Sequence, residues 1–198
     1  MLADIFALCL AVIALLGSPG PGPLALAGVG AAFGPRQGTN FLLGILAAIA
    51  VVMALTGFGA SALLSASPKL RVAVQLLALT YIVYVAWRVA GVAAFAGGAK
   101  KTAPSFIDGF VLNILNPKAY AAFTAIFAAF SIAHAQPLIS AGLTAAISFV
   151  LVVIIDTAWL MAGAGLRPIA ADPVRGRPLR ILFALMMVAA AVYGLTRL

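Results

Sequence analysis

Apolar residues run through this chain in stretches of about 20, parted by short clusters of proline, glycine and charge. Stretches of that length match a hydrocarbon core roughly 30 Å thick, so each reads as a membrane-spanning helix. Six are predicted, at about 2–33, 39–64, 70–95, 105–132, 136–165 and 178–197. The separators are "GPRQG" at 34–38, "SPKLR" at 67–71, "GGAKKTAP" at 97–104, "AQP" at 135–137 and "RPIAADPVRGRP" at 167–178. The apolar start resembles a signal peptide but lacks a basic head and a clear A-x-A site, so it is taken as the first span.

Two of the six patterns are interrupted. "GSPGPGP" at 17–23 holds prolines at 19, 21 and 23, which remove backbone donors, with glycines that permit sharp turns. "NILNPKA" at 113–119 breaks the fourth span at Asn116-Pro117, where Asn113, Asn116 or a neighbouring helix is expected to satisfy the freed carbonyls. These breaks fall in the first helix of residues 1–97 and the first helix of residues 98–198. With three helices in each half, the second half enters the membrane in the opposite sense. Matched breaks in such halves predict an inverted repeat with a midplane site, where half-helix N-termini suit a carboxylate.

Composition agrees with the pattern. The chain is 65% hydrophobic and 8% charged, with a mean hydropathy of +1.21. A soluble domain carries roughly 25% charged residues, so the expected class is an all-α integral membrane protein in the lipid bilayer. The net charge of +8 is spread over short loops, which argues against a nucleic-acid partner. Arg36, Arg88, Lys100, Lys101, Arg167, Arg175, Arg177 and Arg180, eight of the 12 basic residues, fall on one side if both termini are extracytoplasmic. Lys69, Arg71 and Arg197 fall on the other. The bias predicts that both termini lie outside.

Two charges remain deep in the spans: Lys118, and Asp156 in "LVVIIDTAWL". Each costs roughly 2.5–3.5 kcal/mol at a helix centre, so both should face the bundle interior. Asp156 is then a carrier of a coupling proton or a cation ligand, or else the two form a permanent ion pair that only ties helices together. Asp108 and Arg88 read as groups at the membrane surface. Gly30, Gly34 and Gly38 repeat every four residues and predict close helix packing. Tyr81, Tyr84 and Gln75 give no tight cluster, and Thr80 and Thr157 can bond their own backbone. The single cysteine, Cys9, excludes dithiol chemistry, His134 joins no metal-ligand spacing, and no catalytic motif appears, so neither an enzyme, a cofactor nor a metal site is expected.

The broken segments and their neighbours also carry a likeness. "SPGPGP" at 18–23, "GPRQGTNFLLGI" at 34–45, "LTYIVYVAWR" at 79–88 and "FIDGFVLNILNPKAY" at 106–120 come in the order of the motifs of the LysE/RhtB family of amino-acid exporters, which the chain resembles over nearly its whole length. Asp156 matches an acidic position of that family's fifth helix. The resemblance implies six helices, a small-molecule substrate such as an amino acid or derivative, antiport driven by an ion gradient (protons above all), and a place in the bacterial cell (inner) membrane. It makes Ser18, Pro19, Gly20, Pro21, Gly22, Pro23, Asn113, Asn116, Pro117 and Lys118 the substrate-binding candidates and Asp156 the proton-coupling one. Gly20, Gly22 and Gly109 are candidate hinges. The chain is unusually Ala-rich, holds no Glu and has a short basic loop before its last helix, which leaves the substrate open. An inorganic cation exporter and a non-transporting scaffold stand as rivals, and a homodimer is open to it.

Overall fold

A computed structural model describes residues 2–57, 68–90, 103–130, 132, 136–170, 172 and 176–196. Among these the chain is helical without a strand. In order come α1 (Leu2–Gly17), α2 (Pro21–Phe33), α3 (Pro35–Gly57), α4 (Pro68–Ala90), α5 (Phe106–Ile114), α6 (Pro117–Ala129), α7 (Pro137–Gly165), the single turn α8 (Arg167–Ala170) and α9 (Gly176–Thr196). His134, Lys100, Lys101, Arg175 and Arg197 lie outside the described residues, as do the side chains of Lys69, Arg71, Gln75 and Arg88.

Both expected interruptions are present. The α1–α2 pair bends by 64° and the α5–α6 pair by 61°. In each pair the second piece starts on a proline at its first turn and runs 13 residues. Proline suits that position because its missing N–H has no intrahelical acceptor there. With α3, α7 and α9, the two bent pairs make five spans long and apolar enough to cross a membrane. The sixth expected span is the 23-residue α4, which among the described residues is not one of those five; the end of that expected span, 91–95, lies outside the described residues.

Several boundaries move for local reasons. The separator expected at 34–38 shrinks to Gly34, because α3 already starts at Pro35. Gly34 takes φ +81°, a left-handed value that ends α2 with its N–H on the Gly30 carbonyl at 2.9 Å. The Gly30/34/38 pattern therefore divides into two roles: Gly34 turns the chain, while Gly30 and Gly38 pack against α7 around Leu160. Ser105 caps α5 in a reciprocal box with Asp108, whose Oδ2 accepts from the Ser105 N–H at 2.6 Å. Tyr81 adds a hydroxyl bond to the Asp108 carbonyl at 3.2 Å, which ties α4 to the start of α5.

The short helix α2 is the centre of the bundle. Residues 20–31 are buried without exception, and α2 packs against α7, α9, α3 and α4. Around it, two crossings are drawn tight by glycines facing backbone. Where α3 meets α5, a Cβ on Gly44 would land on the Phe106 carbonyl, and one on Gly109 would land on the Phe41 carbonyl. Where α2 meets α7, Gly30 faces the Leu160 carbonyl and Gly163 the Ala27 carbonyl. Without a hydrophobic drive between helices in lipid, such close approach supplies much of the packing. Gly109, an expected hinge, is thus a packing point inside α5. Arg180 departs from expectation too: counted with the loop charges, it is 3% exposed, and its Nη1 donates to the Ala170 carbonyl at the end of α8.

Candidate functional site

Three prolines at 19, 21 and 23 withhold the N–H groups that a continuous helix would direct at the carbonyls of residues 15, 17 and 19. Each of those carbonyls finds a side-chain donor instead. The Ser18 hydroxyl donates to the Leu15 carbonyl at 2.9 Å. The Trp159 indole N–H, from α7, donates to the Gly17 carbonyl at 3.2 Å. The Lys118 ammonium, from α6, donates to the Pro19 carbonyl at 3.4 Å, and more closely to the Ser18 carbonyl at 2.6 Å and hydroxyl at 2.9 Å. A cation at the C-terminal end of α1 also suits that helix's dipole. Trp159→Phe strands the Gly17 carbonyl, and is expected to cost about 1–3 kcal/mol, read as a lower unfolding midpoint in detergent.

The second break is repaired locally. Pro117 cannot donate to the Asn113 carbonyl, which takes the Asn116 N–H at 3.1 Å. The Asn116 carboxamide does not cover a freed carbonyl, as expected from the sequence, but caps α6: its Oδ1 accepts from the Lys118 N–H at 3.1 Å. Its Nδ2 donates to Asn113 Oδ1 at 3.2 Å. The half-helix N-termini offer fewer free donors than expected. Pro21 and Pro23 bring none to α2, and the Leu24 N–H goes to the Gly20 carbonyl. In α6, Pro117 brings none, and the Ala119 N–H goes to the Asn116 carbonyl.

The two breaks meet at a cavity of about 20 Å³, lined by Leu16, Gly22, Pro23, Ile45, Ile49, Asn113, Asn116, Lys118, Ala119, Val152 and Asp156. That space holds roughly one water and no metabolite, so the arrangement is closed. Of the candidate residues, Gly22, Pro23, Asn113, Asn116, Lys118 and Asp156 line it. Ser18 and Pro19 reach it only through their bonds to Lys118; Gly20, Pro21 and Pro117 set the two turns without facing it. Gly22 allows the approach of α2, since a Cβ there would sit 3.3 Å from Asn113 Oδ1.

Two buried polar atoms of opposite character on this cavity have no hydrogen-bond partner. One is a donor, Asn113 Nδ2, and the other an acceptor, Asp156 Oδ2; their residues are 3% and 4% exposed. Lys118 meanwhile donates to Ser18 and Pro19, so its ammonium is engaged with α1 rather than serving only as a counter-ion. A hollow of about 460 Å³ lies elsewhere, among Ala50, Met53, Phe127, Leu138, Ala145 and Phe149, with no charged residue in its wall. Among the described residues no group of three or more His, Cys, Asp or Glu side chains gathers around a point that would take a metal ion.

Trp159 was not anticipated, although it stands one helical turn beyond Asp156 and so had to share its face. Ile45 and Ile49 gave no signal beyond apolarity. No curated protein and no solved structure matches the chain. Residues 13–197 match the LysE type translocator family, and with its membrane-spanning helices and paired breaks the chain belongs to that family of transporters.

Proposed function

We propose that this protein is a secondary exporter of amino acids or closely similar zwitterions, coupled to protons through Asp156. The observation that carries the reading is the pair of unsatisfied groups at the meeting of the two breaks. A buried donor beside a lysine suits a carboxylate, and a buried carboxylate oxygen suits an ammonium. One small molecule bearing both charges answers both needs.

The reading treats residues 1–97 and 98–198 as inverted repeats. Its support is a set of exchanged contacts: α2 packs on α7 as α6 packs on α3, α3 packs on α5 as α7 packs on α1, and α4 meets α9. Lys118 and Trp159 reach from the second half to the end of α1 in the first. In the cycle proposed, one half rocks against the other and the Lys118 ammonium leaves Ser18 and Pro19 for the substrate carboxylate. The substrate ammonium meets Asp156 until a proton takes its place. Exchange of one cation for another at a single carboxylate makes transport and proton movement obligatory partners.

The test is a panel of amino acids offered to inside-out vesicles with and without a proton gradient. At least one is expected to accumulate only with the gradient, and Asp156→Asn is expected to abolish accumulation while leaving the protein folded. An Asp156→Asn protein that still concentrates substrate removes the coupling role. Movement of divalent cations but of no amino acid replaces the reading with cation export.

A further inference from the structure

The inward face of α7 holds more polarity than the cavity uses. Its buried residues fall at every fourth position, Ser140, Thr144, Ser148, Val152, Asp156 and Leu160, followed by Gly163. Thr144 and Ser148 are fully buried, and neither hydroxyl has a hydrogen-bond partner. This is unlike other hydroxyls in these helices: Thr39, Thr56 and Thr80 each donate to the carbonyl four residues back, at 3.0, 2.8 and 2.9 Å. Thr144 and Ser148 have carbonyls at the same offset and leave them unused. A hydroxyl without a partner in an apolar interior is costly, and bound water is the usual remedy where several such groups align.

We propose that Thr144 and Ser148 line a file of water running from the membrane face at the Pro137 end of α7 toward Asp156, with Val152 as its dry gate. Four residues of helix rise about 6 Å, which is two hydrogen bonds through one water. Thr144 and Ser148 are so spaced. From Ser148 to Asp156 the rise is about 12 Å, and Val152, 1% exposed, stands between them on the wall of the Asp156 cavity. An apolar constriction of this kind closes by dewetting. The groups facing Asp156 across that cavity are Lys118 from α6 and the neutral Asn113 and Asn116; α1, α2 and α3 bring only Leu16, Gly22, Pro23, Ile45 and Ile49. The file deepens the coupling role proposed for Asp156 by naming the side and path from which its proton comes.

Its test needs no substrate. In a Cys9→Ser background, the Thr144→Cys and Ser148→Cys variants are treated with a membrane-impermeant methanethiosulfonate, in right-side-out and in inside-out vesicles. Both are expected to react from the same side, at least about tenfold faster than Val150→Cys, at a lipid-facing position where the valine is 59% exposed. In proteoliposomes holding a trapped pH dye, Val152→Ser is expected to raise passive proton leak about tenfold, and adding Thr144→Val with Ser148→Ala to return it to the starting rate. Labelling no faster than at position 150, labelling from opposite sides, or a leak indifferent to Thr144 and Ser148 overturns the file. If the cysteines label and the leak responds while Asp156→Asn still concentrates substrate, the file stands and the coupling role falls.

Discussion

Lys118→Met is expected to stop transport and to lower the thermal stability of the protein in detergent. The ammonium serves the Ser18 carbonyl, the Ser18 hydroxyl and the Pro19 carbonyl. Methionine fills the same space and donates to none of them. A fully buried acceptor left unpaired costs about 1–3 kcal/mol. These acceptors, part-buried at Ser18 and exposed at Pro19, fall toward or below the low end of that range. The ammonium is also the one ionisable companion of Asp156 on the cavity wall. The effect on stability and the effect on transport are separable. Lys118→Met with Asp156→Asn removes both charges, so it is expected to recover part of the unfolding midpoint and none of the transport. If Lys118→Met binds substrate with unchanged affinity, measured by ligand-dependent melting, the lysine holds α1 and does not touch the carboxylate.

Alanine at Gly44, Gly109, Gly30 or Gly163 is expected to damage the packing of facing helices more than alanine at a glycine that faces only a ring edge or open space. At each position the new Cβ would meet a carbonyl of the opposing helix, and backbone cannot turn aside as a side chain can. The helices must separate, and overpacking of this kind costs about 1–3 kcal/mol or more. Two comparisons make the series informative. Gly57 faces the edge of the Phe127 ring at 3.4 Å, so Gly57→Ala should be tolerated with a small shift of the ring. Gly142 has nothing within 4 Å, and Gly142→Ala should stabilise α7 by roughly 0.5–1 kcal/mol through backbone entropy alone. Unfolding midpoints for the six variants, with the yield of monodisperse protein, check the order. Equal loss at Gly142 and Gly109 would remove the backbone-contact explanation.

The features legible in the sequence are those set by local chemistry. Apolar runs interrupted by Pro19, Pro21, Pro23 and Pro117 determine helix and break without reference to any neighbour, and both breaks stand where the prolines put them. That Asp156 and Lys118 point inward followed from the cost of a charge in lipid, and they do share a cavity. What was not legible depends on how helices are rotated and set against each other. Lys118 was expected beside a substrate or Asp156, and the carbonyls it found belong to a loop 100 residues away. Gly30, Gly34 and Gly38 look alike in sequence, yet only the backbone angle distinguishes the turn from the contacts. Thr144 and Ser148 drew no reading from the sequence, where such hydroxyls usually bond their own helix. Their spacing of four ahead of Asp156 was a visible signal all the same.

The repair of the first break also bears on the order in which the molecule is made. A helix ordinarily satisfies its own backbone as it forms, so the first segment of a membrane protein enters lipid complete. Here the end of α1 is completed by Trp159 and Lys118, residues that leave the ribosome long after it. Until they arrive, the Gly17, Ser18 and Pro19 carbonyls must stay at water or within the insertion machinery, because hydrocarbon offers them nothing. The end of α1 is therefore fully satisfied only once the second half of the chain has been made and has packed against the first.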